Sequence, residues 1–423
     1  MKIAIIGAGA SGLAALKYSL DEGHICEVFE KTAHVGGTWN YVNEVGNDEY
    51  GLPIHSSMYE DLRTNGPKEL MLFEDFSYRS DLEYSYVSHE EVLNYINEYA
   101  EHFGLLAHIK FLHHVENIDP IQKERWLIRV RSLKFNRTEE KEFDAVMVCV
   151  GHYATPAIPN IPGMKNFRGS LIHSHNYRKT DPYIGRNVLI VGNGASGVDI
   201  SIKISSVAKK VTLSQRRENP YMPESLTAKF TKKPQIKQFC GNGVKFEDNS
   251  EEDFDDVIFC TGYKISFPFL SSNSGLEVED NFIRYLYKHT INIEHPTMAV
   301  IGIPKYTPLF SMFCIQVRFF LAYLNGNFKV NKEEMMEDVQ KYLNDCKQSG
   351  KPPHMELKEQ FKKYFDDLAK TANIKEIQPA ILKMHEFYMN EGVGKFDLVY
   401  RIINDEEFEQ FPYNNNYCSD NVN

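Results

Sequence analysis

Two glycine triplets, each set between a short apolar run and a helical pattern, constrain this chain more than any other feature. KIAIIGAGASG opens at Lys2 and NVLIVGNGASG opens at Asn187, so Gly7, Gly9 and Gly12 are matched by Gly192, Gly194 and Gly197. A β-branched strand, a glycine turn and a helix in that order begin a Rossmann unit. A second repeat closes each half. DAVMVCVG from Asp144 and DDVIFCTG from Asp255 align Val146 with Val257, Cys149 with Cys260 and Gly151 with Gly262. The chain therefore reads as one nucleotide-binding unit with another inserted into it. The proline-punctuated stretch HYATPAIPNIPG (152–163) marks the outward crossing, and the return falls near 263–268.

The expected fold is α/β, with two nested Rossmann-like domains. Residues 1–157 begin the first, 158–266 form the inserted second, and 267–423 complete the first and add C-terminal helices. Beyond Asn327 the texture becomes charged and helical in period. Asn331 with Glu334 forms a capping-box pattern ahead of Met335, Val339, Tyr342 and Cys346 on one face. Further helices are expected over 355–368 and 379–389, and the polar stretch from Tyr413 onward reads as a frayed tail.

Composition serves mainly to exclude. With 47 Lys+Arg against 58 Asp+Glu the formal charge is −11, which supplies no positive field for nucleic acid. Seven cysteines without a C-x-x-C pair give neither a disulfide framework nor a zinc ribbon. His173 and His175 are two apart with no third ligand close by, so a domain-junction role is expected and no metal. No apolar run approaches the ~18 residues of a membrane span. Met1 leads straight into an apolar strand rather than a secretory signal, so a soluble, cytoplasmic protein is expected. Removal of a signal peptide would instead make it secreted, and only then would the sequon at Asn136 be usable. A homo-oligomer is neither indicated nor excluded.

The two loops differ in the charge that follows them. In such a loop the first glycine makes the tight turn, the second admits a pyrophosphate, and the third lets helix and strand pack closely. Ala10 and Ser11, like Ala195 and Ser196, then open a helix whose N–H groups face the anion. In the first unit the next strand ends in Glu30, with Lys31 beside it; a carboxylate there accepts ribose hydroxyls and repels a 2′-phosphate. In the second unit the strand ends in Arg216 and Arg217, which accommodate a 2′-phosphate. After Glu30 comes a further turn, Gly36-Gly37-Thr38-Trp39, suited to a longer dinucleotide. The first site is assigned to FAD and the second to NADPH.

At this point the sequence resembles the flavin-containing monooxygenases, a group of class B flavoprotein oxygenases. FRGSLIHSHNYR places Phe167, Gly169, His173 and Tyr177 on the family fingerprint, and FCTGY at Phe259 is similar to a second family motif. HSSMYEDLRTNGPKELMLF (55–73) is similar to the segment that carries the active-site asparagine, here Asn65. FCIQVRFF, around Gln316, is similar to the helix whose N-terminal end approaches the flavin. The resemblance implies Asn65 and Tyr59 as catalytic residues. It implies Gly37, Thr38, Trp39, Leu62, Thr64, Asn65, Val115 and Gln316 as further FAD contacts, and Tyr177 as an NADPH contact.

The implied chemistry is reduction of FAD by NADPH, reaction with O2, and transfer of one oxygen from a flavin hydroperoxide to nucleophilic nitrogen or sulfur in a small molecule, such as a tertiary amine or alkaloid. The hydrophobic C-terminal anchor of the vertebrate microsomal members has no counterpart, so no membrane anchor is expected. A Baeyer–Villiger ketone monooxygenase is the alternative, although those enzymes carry Trp where this chain has Tyr177. A pyridine-nucleotide–disulfide reductase is less favoured, because no Cys flanks the Gly36-Gly37 turn.

Overall fold

The computed structural model describes residues 1–218, 230–350, 353, 357 and 360–413. The apolar run after Met1 forms strand β1 (Lys2–Ile6), which is buried on both faces and lies inside a seven-stranded sheet. It pairs in parallel with β2 (Ile25–Phe29) on one side and β3 (Ala145–Val148) on the other. Successive side chains on a strand point to opposite faces. Ile3 and Ile5 accordingly pack with helix α1 (Ala10–Asp21) and the later α4 (Leu309–Leu324). Ala4 and Ile6 face a three-stranded antiparallel sheet that contributes Val115, Ile118, Trp126, Ile128 and Phe143.

β3 also pairs in parallel with β8 (Met298–Val300), from the far side of the inserted unit. The insertion builds its own five-stranded sheet, all parallel, from β4 (Ser170–His173), β5 (Asn187–Val191), β6 (Lys210–Ser214), β7 (Asp256–Phe259) and the strand Thr231–Lys233. The layering repeats. Val188 and Ile190 of β5 face helix α3 (Ala195–Ile204), which contributes Ile200 and Ile204. Leu189 faces an antiparallel sheet that contributes Phe239, Val244 and Phe246. Outgoing and returning chains run side by side where Thr155–Pro156 pairs antiparallel with Tyr263–Lys264.

The C-terminal layer corrects several expectations. The capping box is present, with Glu334 N–H donating to Asn331 Oδ1 and Asn331 N–H donating to Glu334 Oε2, both at 2.9 Å. It opens α5 (Lys332–Gln348), which buries Met335, Val339 and Cys346. The next helix, α6, spans Phe361–Ala372 rather than 355–368, and Met355 lies outside the described residues. Its strongly amphipathic register buries Phe361, Tyr364, Phe365 and Leu368, so packing sets its span. α7 (Pro379–Phe387) starts where expected, with proline in its first turn, and continues into a π-helical turn, Tyr388–Gly392. A hairpin, Leu398–Ile402 with Phe408–Pro412, follows and has no counterpart in the sequence reading. The tail beyond Tyr413 lies outside the described residues. Among those described, no helix is long and apolar enough to cross a membrane.

Burial also holds several imidazoles neutral. It pushes His152 down to about 3, and His173 and His385 down to about 4, from an ordinary value of 6.5. The unfolded chain therefore binds more protons than the folded one as pH falls below 6.5. The stability these groups contribute is complete at pH 7 and declines toward pH 4. Thermal melts between pH 7 and 5, above the main carboxylate range, should show the midpoint falling by on the order of 5 °C. A flat midpoint would remove these histidines from the stability balance.

Candidate functional site

Both glycine loops are shaped by backbone contacts that leave no room for a side chain at two of their three positions. Gly7 has φ +99° and a Cβ there would stand 2.7 Å from the Cys149 carbonyl oxygen; one on Gly12 would stand 1.9 Å from Gly7 O. The second loop repeats this, with Gly192 at φ +108° and 2.5 Å from Cys260 O, and Gly197 at 1.8 Å from Gly192 O. The middle glycines differ. A Cβ on Gly9 would meet only Gly37, at an ordinary 3.6 Å, and one on Gly194 would meet nothing within 4 Å. The protein's own packing does not require glycine at either middle position. Gly9 and Gly194 are the N-caps of α1 and α3, neither of which has a side-chain cap or an acidic residue in its first turn. Open space above uncapped helix N–H groups suits a pyrophosphate. Around the first loop Ala10, Ser11 and Gly12 are buried, whereas Gly194 and Ala195 are exposed and Ser196 half-buried at the second.

Glu30 closes the first site from below. Its Oε2 accepts from Ala8 N–H at 2.8 Å, and its Oε1 accepts from Thr32 N–H and Oγ1–H at 2.8 and 2.9 Å. A carboxylate offers about four acceptor positions, so one remains for a ribose hydroxyl. Lys31 reaches Pro53 O at 2.8 Å, and burial lowers its pKa. The Gly36-Gly37 turn leans on the glycine loop itself: Gly36 N–H donates to Ala8 O at 3.0 Å, and a Cβ on Gly37 would stand 3.1 Å from Gly9 Cα. Thr38 lies 3.5 Å from the Ser57 hydroxyl, and Trp39 packs half-buried on the main core. Val115 is buried on the antiparallel sheet, and Leu62 packs partly buried in the second domain's core cluster. Thr64 Oγ1 accepts from Val87 N–H at 3.2 Å. Asn65 is exposed; its main-chain carbonyl accepts from the Tyr388 hydroxyl, and its amide makes no hydrogen bond to another described residue.

Three of the expected site residues have partners within the protein. Gln316 is fully buried in mid-helix, where its Oε1 accepts from Gly302 N–H at 2.9 Å and its amide donates to Tyr364 Oη at 2.7 Å. Its side chain braces the chain before α4 against Tyr364. Tyr59 is buried, with its hydroxyl bonded to Asp199 on α3 and its ring edge-on to Tyr177 at 5.2 Å. It joins the two domains through these contacts. Tyr177 is 2% exposed, packed between Tyr59 and Tyr183, and serves the same junction. His173 and His175 take the junction role expected of them. His173 Nδ1 accepts from His175 N–H at 3.0 Å, so its Nε2–H donates to Gly262 O at 2.9 Å.

At the second site Arg216 and Arg217 are exposed just past β6, and neither enters an ion pair among the described residues. Asn193, between the loop glycines, donates to Gln215 Oε1 at 2.9 Å and to Arg217 O at 2.7 Å, which fixes that strand end beside the loop. A cavity of about 810 Å³ opens elsewhere, lined by Phe73, Tyr78, Ser311, Ile381 and Tyr400, and includes no residue of either loop. Sequence reasoning missed Arg178, Asp199 and Tyr388. Only Arg178, next to the fingerprint tyrosine, carried any local signal.

Comparison with known proteins agrees with this geometry. Residues 1–226 and 219–387 match the family described as Flavin-binding monooxygenase-like. The chain is 32% identical to senecionine N-oxygenase of Tyria jacobaeae over 97% of this chain and 91% of that protein. It is 36% identical to the flavin-containing monooxygenase FMO GS-OX3 of Arabidopsis thaliana over 80% and 76%. S-allyl-L-cysteine S-oxygenase from Allium sativum superposes with a TM-score of 0.86 at 31% identity, covering 94% of each chain. Cyclohexanone monooxygenase, at 15% identity and a TM-score of 0.62 over 88% of this chain and 97% of that one, shares the fold alone. The nested loops, the uncapped helix starts and these matches together place the chain in the flavin-binding monooxygenase family, and it is a flavoprotein oxidoreductase of that family.

Proposed function

We propose that this enzyme uses FAD and NADPH to transfer one oxygen atom of O2 to a nucleophilic nitrogen or sulfur in a small molecule, yielding an N-oxide or S-oxide. The observation that carries the reading is the pair of matched loops with opposite charges behind them: Glu30 at the first, Arg216 and Arg217 at the second. FAD lies along the first loop and the Gly36-Gly37 turn, and NADPH lies on the second. When bound, reduced FAD supplies the reaction with O2 and the transfer of oxygen. The chain's own residues bind, orient and exclude water. The Asn65 amide, exposed beside the first domain, offers a neutral donor and acceptor that orients the reacting groups without supplying a proton.

A heteroatom substrate is supported by relatives above 30% identity named for N- and S-oxygenation, and by Tyr177 in the fingerprint. A disulfide substrate is less favoured, since no cysteine flanks the Gly36-Gly37 turn and Cys149 and Cys260, beside the two loops, are buried. The enzyme acts in the cytoplasm on a diffusing substrate.

Offered a tertiary amine, a thioether and a cyclic ketone in parallel, the enzyme should form N-oxide or S-oxide and little lactone. Lactone as the only product would overturn the assignment. Arg216→Ala should raise the Michaelis constant for NADPH by about tenfold, equivalent to ~1.4 kcal/mol, and leave that for NADH nearly unchanged. Equal rises would remove Arg216 from 2′-phosphate recognition. Asn65→Ala should keep FAD bound while product formation drops roughly tenfold, the worth of one hydrogen bond, and peroxide release rises. Unchanged coupling of NADPH use to product would refute the role given to Asn65.

A further inference from the structure

The segment 42–61, between β2 and α2 (His89–His102), leads directly to Asn65 and belongs to neither sheet. The first domain touches it through Lys31 to Pro53 O at 2.8 Å, Ser56 Oγ to Thr38 O at 2.9 Å and His89 to Glu60 O at 3.2 Å, and the inserted domain grips it at more points. The centre of this grip is Arg178, only 8% exposed and, among the described residues, with no carboxylate in ion-pair contact with its guanidinium. Its Nε donates to Val42 O at 2.7 Å, and its Nη2 donates to Glu44 O at 3.1 Å and Ser56 O at 3.3 Å. Its Nη1 donates to His175 O at 2.7 Å, Tyr177 O at 3.0 Å and Met58 O at 3.3 Å. Five N–H groups thus serve six carbonyls, four of them on the segment. The Arg178 carbonyl in turn accepts from Glu60 N–H at 2.8 Å.

Three further contacts lie along the same line. His175 Nε2 donates to Ile54 O at 3.0 Å, Tyr59 bonds Asp199, and Lys203 Nζ donates to Asp61 O at 2.7 Å. Asp199 and Lys203 are on α3, the helix that begins at the second glycine loop. A buried guanidinium is costly to desolvate, and one bound only to carbonyls gains no ion pair in return. What it gains is geometry, since a planar fork fixes several acceptors at once.

We propose that Arg178 is a positioning residue that ties segment 42–61 to the inserted domain, so that occupation of the second glycine loop sets the placement of Asn65. Binding at the start of α3 steadies Asp199 and Lys203, these steady Tyr59 and Asp61, and Arg178 keeps the rest of the segment in register with the linker. The proposal rests on the nucleotide assignment above, and it concerns neither the identity of the substrate nor a direct cofactor contact by Arg178.

Hydrogen–deuterium exchange on the full FAD-loaded chain, with NADP+ as probe, tests it. In the native sequence NADP+ should slow amide exchange across 42–61 by at least about tenfold. In Arg178→Lys, which has three donors for five, that slowing should be lost, while amides of Lys2–Ile6 and Ala10–Asp21 exchange as before and FAD content is unchanged. Without any substrate, NADPH, H+ and O2 should give NADP+ and H2O2 at least about threefold faster in the variant, with the Michaelis constant for NADPH within about twofold. Tyr59→Phe removes one hydroxyl and keeps the guanidinium. It should show the same loss to a smaller degree, and it decides the matter should Arg178→Lys not retain FAD. NADP+-dependent protection that survives in both variants overturns the proposal, as does protection lost together with that of Ala10–Asp21. Neither readout needs an oxygen acceptor, so failure to oxidise any amine or sulfide would sink the substrate reading and leave this one standing.

Discussion

The parallel ladder between Ala145–Val148 and Met298–Val300 is the constraint on which the rest of the molecule depends. It joins strands separated by about 150 residues, a closure whose entropic cost must be met by structure in between. The inserted chain meets it by folding into a domain with its own sheet and helix layers. It must also leave and return at one place, which explains the short ribbon of Thr155–Pro156 on Tyr263–Lys264. Ala157 N–H donates to Gly262 O at 2.9 Å, and His173 reaches the same carbonyl at 2.9 Å. The crossing is therefore anchored by β4 of the domain it serves.

This architecture was legible in the sequence because its signals are backbone requirements. Gly7 and Gly192 need positive φ and Gly12 and Gly197 need bare Cα atoms, so residue type alone reports geometry. The repeated strand runs were legible for a similar reason: a strand buried on both faces must be apolar throughout. The C-terminal hairpin had no such signal. Its strand Phe408–Pro412 is exposed or half-buried, and its partner is held by long-range contacts: Tyr400 is buried in the main core and its N–H donates to Ser85 Oγ at 2.8 Å. A contact across that span of chain leaves no local trace.

The same distinction governs the site. Glu30 was readable because a strand end at a fixed spacing behind the loop has one place to go, and there it also ties Ala8 to Thr32. The partners of Tyr59 and Gln316 were not readable, because a side chain's hydrogen bonds depend on what the fold brings to it. Those partners, Asp199 for Tyr59 and Gly302 with Tyr364 for Gln316, come from distant elements. Tyr59 and Tyr177 lie at the seam between domains, where a buried phenol is pushed well above its ordinary pKa and remains a neutral packing group.

Neutrality of this kind extends to the thiols beside the two loops, whose thiolates would be reactive nucleophiles. Cys149 and Cys260 end the closing strand of each half, and their Cβ atoms lie 3.6 and 3.4 Å from where side chains on Gly12 and Gly197 would begin. Burial pushes both thiols up, Cys260 to about 12, so at neutral pH each stays protonated. A small apolar residue fills the wedge between strand, loop and helix, and cysteine does so without offering a thiolate. The close packing that requires glycine at positions 12 and 197 thus also encloses the neighbouring sulfur and keeps it protonated.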